Sequence, residues 1–425
     1  MVSKQYPRVG ETVFHEILEN GLHIYVDRRR DFQKSYAFFA TNYGGMDMRF
    51  KLDGAWKNTP AGVAHFLEHK MFDTEDGNAL QDLAANGASP NAFTSSAITG
   101  YFFESTEKFF DNLKILLSFV SVPYFTQESV DKEQGIIGQE IRMVEDDPEN
   151  QVFYALMECL YDHHPIRVPI AGSQQSIAKI TAGTLYSCHK AFYTPANMVL
   201  TVAGDVDPAQ VCAIAREILP KESGSPIDRD YGGEEQSAAA AGEKELTMEV
   251  SNPIFQLGFK CDPAKRGEEW QRRALAGELA CEMLLGSSSP LYARLYNEGL
   301  INKNFGYGFE LYPGCALMAA GGESRDPQKV RDAVLAEGER LAREGLDADL
   351  FRRVKKGVYG AKVRSLNSFE NVCIELAQAH FAGTEYFHFP QVFDGISQAD
   401  VEACIREWVT PQRCGLAVVR PGEAS

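Results

Sequence analysis

Long apolar runs are missing from this 425-residue chain. It contains no stretch of about eighteen apolar residues, the length at which a segment becomes a candidate membrane-spanning helix. Its first residues, MVSKQYPR, lack the apolar core of a secretory signal. We therefore expect a cytoplasmic protein that has no membrane partner.

Paired cysteines and an excess of basic residues are also missing. The nine cysteines are scattered without a close pair, which argues against a disulfide framework and against a zinc site built from thiolates. Lysine and arginine number 42 against 59 aspartate and glutamate residues, which gives a net charge of −17. Because nucleic acids are polyanions, we expect no nucleic-acid partner.

A short motif with two histidines, HFLEH, is the most informative feature that the sequence does contain. We expect it to be helical, with Thr59 as the N-cap and Pro60 at the first helical position. His65 and His69 are four positions apart, so their rings project from one helix face and can bind one metal ion. Glu68 lies beside that face, where it can act on a water molecule held between the rings. This order inverts the commoner zinc-protease motif and indicates a zinc hydrolase.

A catalytic zinc ion needs a third protein ligand, and the best candidate is Glu140. It lies in the segment 129–144, which has helical periodicity and is followed by Asp-Asp-Pro. Glu133 is seven positions earlier on the same face and would orient one of the ligands by a hydrogen bond. Gly135 and Gly138 predict a close approach between this helix and the histidine helix. The alternative is that both glutamates belong to a solvated acidic face.

Together these motifs resemble the insulinase/pitrilysin metallopeptidase family, which includes the catalytic subunit of mitochondrial processing peptidase. The resemblance covers nearly the whole chain and rests on GVAHFLEH (62–69), ASPNAFT (88–94), GIIGQEI (135–141) and the EGL turn at Glu298. More closely, the chain resembles a bacterial cytosolic two-domain branch that is linked to modification of a translation elongation factor. The resemblance implies one Zn²⁺ per chain, bound by His65, His69 and Glu140. It also implies that Glu68 is the general base and Glu133 a supporting carboxylate.

The family resemblance further implies a substrate-binding segment. This segment would be an edge strand to which a peptide substrate adds as a further strand. Its four residues are Asn91, Ala92, Phe93 and Thr94. From the residues alone, ordinary sheet packing of this segment is an alternative of at least equal weight.

The resemblance also reaches the C-terminal half of the chain. In the family, an arginine and a tyrosine of that half reach the substrate carbonyl near the metal. Tyr307 matches the tyrosine and would be a catalytic residue, but Tyr296 stands at the arginine position. Arg294, two positions away, is expected on another helix face. Because loss of such a donor typically slows catalysis about 100- to 1000-fold, we expect weak activity or a donor from a partner chain.

An internal repeat divides the chain into two parts. Seven residues of the segment 180–195 recur as identical or similar residues in the segment 396–411, each 216 positions later (396 − 180 = 216). A polar run of small residues without periodicity follows the first copy and predicts a linker. We therefore expect a catalytic domain over 1–220, a linker over 221–245, and a homologous domain without the zinc motif over 246–425.

Each half alternates strands with helices. Neighbouring strands, such as 22–26 and 35–40, are expected to pair as hairpins. The expected fold class is α+β, with two homologous layered domains. Each domain would be a mixed, mostly antiparallel sheet packed with helices on one face.

The expected function is that of a zinc-dependent endopeptidase that hydrolyses peptides or unfolded segments. The family implies that two chains, as a homodimer or a heterodimer with a related chain, close into a clamshell chamber around the peptide substrate. The alternative is a non-proteolytic or weakly proteolytic maturation or assembly factor, for example in elongation factor modification. The complete set of metal-site residues favours the enzyme, because a structural protein has no need of it.

Overall fold

The structure is a computed structural model that describes residues 1–422. Its strands, in chain order, are β1 (Val2–Tyr6), β2 (Glu11–Ile17), β3 (His23–Arg28), β4 (Ser35–Thr41), β5 (Arg49–Leu52), β6 (Ala55–Asn58), β7 (Asp73–Thr74), β8 (Gly77–Asn78), β9 (Ser89–Thr94), β10 (Thr99–Ser105), β11 (Met198–Gly204), β12 (Glu243–Met248), β13 (Ile254–Cys261), β14 (Gly306–Tyr312), β15 (Cys315–Glu323) and β16 (Cys414–Pro421). Its helices are α1 (Val63–Met71), α2 (Ala79–Ala85), α3 (Phe109–Ser121), α4 (Gln127–Asp146), α5 (Pro148–Leu160), α6 (Gln174–Ile177), α7 (Ala182–Phe192), α8 (Pro208–Ile218), α9 (Glu268–Leu285), α10 (Pro290–Asn297), α11 (Pro327–Glu344), α12 (Ala348–Ser365), α13 (Phe369–Ala382), α14 (Phe389–Asp394) and α15 (Gln398–Trp408). Within residues 1–422, every helix is too short or too polar to cross a membrane.

The chain forms two compact units, each built from separate segments. The first unit comprises Met1–Ile141, Val168–Tyr231 and Val363–His388. The second comprises Arg142–Arg167, Gly232–Lys362 and the residues from Phe389 onward. The predicted domain division runs along the chain, with boundaries at 1–220, 221–245 and 246–425. It stays a prediction.

The first unit contains a seven-stranded sheet in the order β1-β2-β3-β11-β4-β10-β9. The pair β3–β11 is parallel and the other pairs are antiparallel. The predicted hairpin between 22–26 and 35–40 is wrong, because Leu200 of β11 pairs with Ile24 on one side and with Phe39 on the other. All residues of β4 are buried, which is typical of a central strand.

Helices cover both faces of this sheet. Ala37 and Phe39 of β4 point into the main core, which the histidine helix α1 also joins. Phe38 and Ala40 point to the opposite face and pack with Cys373 of α13. The expectation of helices on one face is therefore wrong, because β4 has apolar residues at both alternating sets of positions and each set needs a partner.

The second unit contains a five-stranded sheet in the order β12-β16-β13-β15-β14, in which only β12–β16 pairs in parallel among the described strands. Helix α5 packs against its central strands. A Cβ atom at Gly258 would lie 2.9 Å from Leu156, and one at Gly415 would lie 2.9 Å from Cys159. The two glycines therefore let α5 approach the sheet closely.

The predicted duplication is visible in matching elements. Helices α7 and α15 begin 216 positions apart (398 − 182), and so do the strands β11 and β16 that follow them (414 − 198). Both helices begin with a capping box, at Thr181 and Ser397. The fold class is α+β with two homologous layered domains, as expected, and the HFLEH motif occurs in the first copy.

Candidate active site

The histidine helix α1 starts at a residue that sequence reasoning missed. Gly62 precedes it with φ 94°, and a Cβ at this position would lie 2.5 Å from the carbonyl oxygen of Ala171. Only glycine fits both conditions. The predicted start at Thr59 and Pro60 is wrong, because the backbone N–H and hydroxyl of Thr59 both donate to the Met48 carbonyl, at 2.8 and 3.1 Å.

Three of the predicted residues form a compact cluster of metal-binding groups. One ligand atom from each of His65, His69 and Glu140 lies within 4.8 Å of the other two. His65 Nε2 is 3.2 Å from Glu140 Oε1, and His69 Nε2 is 3.6 Å from Glu140 Oε2. Two imidazoles and one carboxylate are the donor set of a catalytic zinc site with an open fourth position. These residues therefore fit a zinc ion.

Helix α4 brings Glu133 and Glu140 to this cluster on one face, as the seven-residue spacing predicts. The expected close approach at Gly135 and Gly138 is wrong, because a Cβ atom at either position would meet no other atom within 4 Å. The buried apolar side chains of α4, among them Ile137, join the core instead. Packing of this helix therefore does not need glycine.

A second carboxylate orients His69. Its Nδ1 lies 3.2 Å from Glu133 Oε1, which leaves Nε2 facing Glu140. Burial disfavours the charged imidazolium, but the Glu133 hydrogen bond and the carboxylates of Glu68 and Glu140 raise the pKa of His69 above its ordinary value. Burial likewise opposes ionisation of Glu133, whereas His69 and Lys70 lower its pKa. The hydrogen bond from His65 lowers the pKa of Glu140 despite burial. The carboxylates are thus held ionised around the imidazoles, as a cation site requires.

Glu68 stands apart from the three ligand candidates. It is 8% exposed, and its Oε2 accepts a hydrogen bond of 2.7 Å from the hydroxyl of Thr94. The carboxylate is therefore free of the cluster and oriented by β9. Sequence reasoning missed this contact, because no local pattern relates two residues 26 positions apart.

The predicted substrate-binding residues lie in β9, which is the terminal strand of the first sheet and pairs with β10. Phe93 stacks on Phe38, with ring centroids 5.7 Å apart, on the α13 face of the sheet. Ala92 packs against the main core. Asn91 is exposed, and its side-chain oxygen accepts the Ala92 N–H at 2.9 Å. The segment is an edge strand, as expected, and its role in binding substrate stays a prediction.

Tyr307 and Tyr296, the residues singled out in the C-terminal half, lie in the second unit. Tyr307 is on β14, the terminal strand of the second sheet, and its hydroxyl donates to Glu282 Oε1 at 3.1 Å. Burial and the nearby Glu282 carboxylate raise the pKa of Tyr307. Tyr296 is 50% exposed and stacks on Tyr292 of the same helix. The catalytic role of Tyr307 therefore stays a prediction, and Tyr296 supplies a ring where the family has an arginine.

Comparisons with known proteins show which family the chain resembles. Residues 54–174 match the model of the insulinase family (peptidase family M16), and residues 179–358 match that of the peptidase M16 inactive domain. The uncharacterized zinc protease YmfH of Bacillus subtilis is 37% identical over 426 residues, which cover 98% of each chain.

Solved structures show the same fold. A crystal structure of a protein described as an M16-like peptidase, from Alicyclobacillus acidocaldarius, has a TM-score of 0.93 and 29% identity. It covers 97% of this chain and 99% of that one. The periplasmic protease PqqL of Escherichia coli has a TM-score of 0.75 and 16% identity, which shows the fold alone. This chain covers 48% of the PqqL chain and matches it over 100% of its own length. Two family models match the chain, and it is 37% identical over nearly its full length to a protein named as a zinc protease. The chain therefore belongs to the insulinase family, peptidase family M16.

Proposed function

We propose that this protein is a zinc-dependent endopeptidase that hydrolyses peptides or unfolded segments. The observation that carries the proposal is the position of Glu68. It lies on the same helix as His65 and His69, outside the cluster that they form with Glu140, and is hydrogen-bonded to the edge strand. A carboxylate so placed can act as a base without being a metal ligand.

The chemistry divides between the metal and the chain. A zinc ion held by His65, His69 and Glu140 would supply Lewis-acid polarisation of the scissile carbonyl and would acidify a water molecule. Glu68 accepts the proton of the attacking water and later delivers it to the leaving amine. The Thr94 hydroxyl keeps the Glu68 carboxylate oriented throughout. Each side chain thus has one role.

The substrate would add to the outer edge of β9. An extended peptide beside Asn91, Ala92, Phe93 and Thr94 would form main-chain hydrogen bonds, so it would bind largely independently of its sequence. Thr94 links this strand to Glu68 at 2.7 Å, which supports delivery of the scissile bond to the base. Folded proteins rarely expose free extended segments, and we therefore propose peptides or unfolded chains as substrates.

We further propose that two chains, identical or related, form the active particle and enclose the peptide in a chamber. The length relation to PqqL supports this, because that single chain has about twice the length of this fold. The proposal includes a cytoplasmic location. The nine cysteines, which are all buried and unpaired, support it, because disulfides are rare in reducing compartments.

Two observations favour a second candidate function, a weakly proteolytic or non-proteolytic maturation or assembly factor. The Tyr307 hydroxyl is engaged with Glu282, and Tyr296 lacks the donors of an arginine. Both features would weaken stabilisation of the oxyanion.

The test compares the wild type with Glu68→Gln on a library of fluorogenic peptides. Loss of a general base typically slows a reaction about 100- to 10,000-fold, so we expect this loss with unchanged zinc content. Glu128→Gln, an exposed change on the same helix as Glu140, is the control and should leave the rate unchanged. Removal of zinc by a chelator should abolish cleavage, and added Zn²⁺ should restore it. If the zinc-loaded wild type cleaves nothing, even with a co-purified partner, the endopeptidase proposal is wrong and the second candidate stands.

A further inference from the structure

Lys70 is a buried lysine that directly follows the metal-ligand candidate His69. Its side chain is 3% exposed, although α1 is a short helix at the edge of a polar site. Burial of an ammonium group is unfavourable unless carboxylates surround it. The partners of Lys70 therefore indicate its role.

Two carboxylates flank the ammonium group. Lys70 forms an ion pair with Asp73 in the short strand β7, three positions further along the chain. Its Nζ also lies 3.6 Å from Glu133 Oε2. The other oxygen of Glu133 is 3.2 Å from His69 Nδ1. One carboxylate thus connects the buried lysine to the imidazole.

This connection determines how His69 is presented. Because Glu133 is held at both oxygens, its rotation away from His69 is restricted. An ionised carboxylate only accepts hydrogen bonds, so His69 Nδ1 carries the hydrogen and Nε2 keeps its lone pair toward Glu140. His65 differs, since its buried Nδ1 has no hydrogen-bond partner among the described residues. Of the two imidazoles, His69 is therefore the one whose orientation is set by a hydrogen bond at Nδ1.

We propose that Lys70 is a positioning residue for zinc binding, which acts through Glu133 to hold His69 in the tautomer and orientation of a metal ligand. The inference rests on the proposed function only in taking His65, His69 and Glu140 as the zinc ligands. It requires no cleavage of any substrate. The competing explanation is that Lys70 forms a purely structural ion pair with Asp73.

The experiment measures the Kd for Zn²⁺ by competition with a chelating dye. The proteins are the wild type, Lys70→Met, Glu133→Gln and the double variant. Outer partners of metal ligands typically contribute 10- to 100-fold in affinity, so we expect Lys70→Met to weaken binding about 10-fold. In the Glu133→Gln background, Lys70→Met should change the Kd by less than about twofold, because its effect passes through Glu133.

Asp73→Asn is the matched control. It removes the other partner of the ammonium group and leaves the Lys70–Glu133 contact in place, so the Kd should stay within about twofold of the wild type. If Lys70→Met does not give the circular dichroism spectrum of the wild type, Lys70→Gln replaces it in the same cycle.

Three outcomes would overturn the proposal: a folded Lys70 variant with wild-type affinity, additive losses in the double variant, or an equal loss in Asp73→Asn. None of them depends on peptide cleavage. The proposed function fails separately, when zinc-loaded wild type and Glu68→Gln are both inactive.

Discussion

Glu68 illustrates how one side chain can determine the chemistry of a site. A buried carboxylate is destabilised unless polar groups hydrogen-bond to it. In this protein Thr94 provides such a bond, and the neighbouring imidazoles belong to the metal cluster. A single hydroxyl on an edge strand therefore connects the proposed base to the expected path of the substrate.

We expect Thr94→Val to lower the cleavage rate without changing zinc content. The change keeps the shape of the side chain but removes its donor to Glu68. Hydrogen bonds to charged groups contribute about 1.5–3 kcal/mol, which corresponds to roughly a 10- to 100-fold loss of kcat/KM. Thr94→Ser keeps the hydroxyl and should stay near the wild-type rate. Equal rates for valine and threonine at this position would show that the contact does not matter for catalysis.

At the scale of elements, the start of α1 depends on backbone conformation more than on side-chain capping. Gly62 has φ 94° and lies against Ala171, so its replacement both strains the backbone and displaces a neighbour. Gly135 in α4 is the opposite case, since it is exposed in a helix interior with open space at its Cβ position.

Replacing these two glycines with alanine should change the free energy of unfolding in opposite directions. Gly62→Ala should lower the free energy of unfolding by about 1–3 kcal/mol. Gly135→Ala should raise it by about 0.5–1 kcal/mol, because alanine favours the helix and restricts the unfolded chain. Denaturant titration of both variants checks the pair. A stable Gly62→Ala variant would mean that the start of α1 tolerates a side chain.

Three charged side chains, Arg29, Glu11 and Asp27, lie together where β2 pairs with β3. Arg29 contacts Glu11 at 2.9 Å and the fully buried Asp27 at 2.8 Å. Burial, together with the nearby Asp27 carboxylate, raises the pKa of Glu11 from 4.5 to about 7, although Arg29 opposes the shift. The folded chain therefore keeps the Glu11 proton to higher pH than the unfolded chain does.

The sign of the pH dependence follows from this difference. The stabilising effect of the proton is fully present below pH 4.5 and is lost as pH rises to about 7. Glu11→Gln cannot lose a proton, so its Tm should fall less than that of the wild type over the same range. Glu107→Gln, at an exposed position, should show the same change of Tm with pH as the wild type. Identical slopes for Glu11→Gln and the wild type would contradict the assignment.

For the whole molecule, the proposal of a two-chain particle can be tested by its mass. We expect analytical ultracentrifugation to find a species of twice 47.1 kDa if the protein is a homodimer. A heterodimer would instead require a second, related chain in the co-purified material. A species of 47.1 kDa that cleaves peptides by itself would rule out the two-chain chamber.

The local periodicity of the sequence determined which residues share a helix face. The spacing of His65 and His69, and of Glu133 and Glu140, predicted shared helix faces correctly, because a helix repeats every few residues whatever surrounds it. The start of α11 at Pro327 obeys a similarly local rule, since Asp326 caps the helix and involves only adjacent residues.

Contacts between distant segments were decided only by the tertiary structure. The insertion of β11 between β3 and β4 and the packing of α13 on the second sheet face depend on burial of apolar surface from the whole unit. The bonds from Thr94 to Glu68 and from Lys70 to Glu133 follow from that packing. No local sequence pattern predicts these bonds, because hydrophobic burial brings together residues that are far apart in the chain. The sequence by itself therefore identified the ligand candidates and the proposed base, whereas the side chains that orient them emerged only from the packed fold.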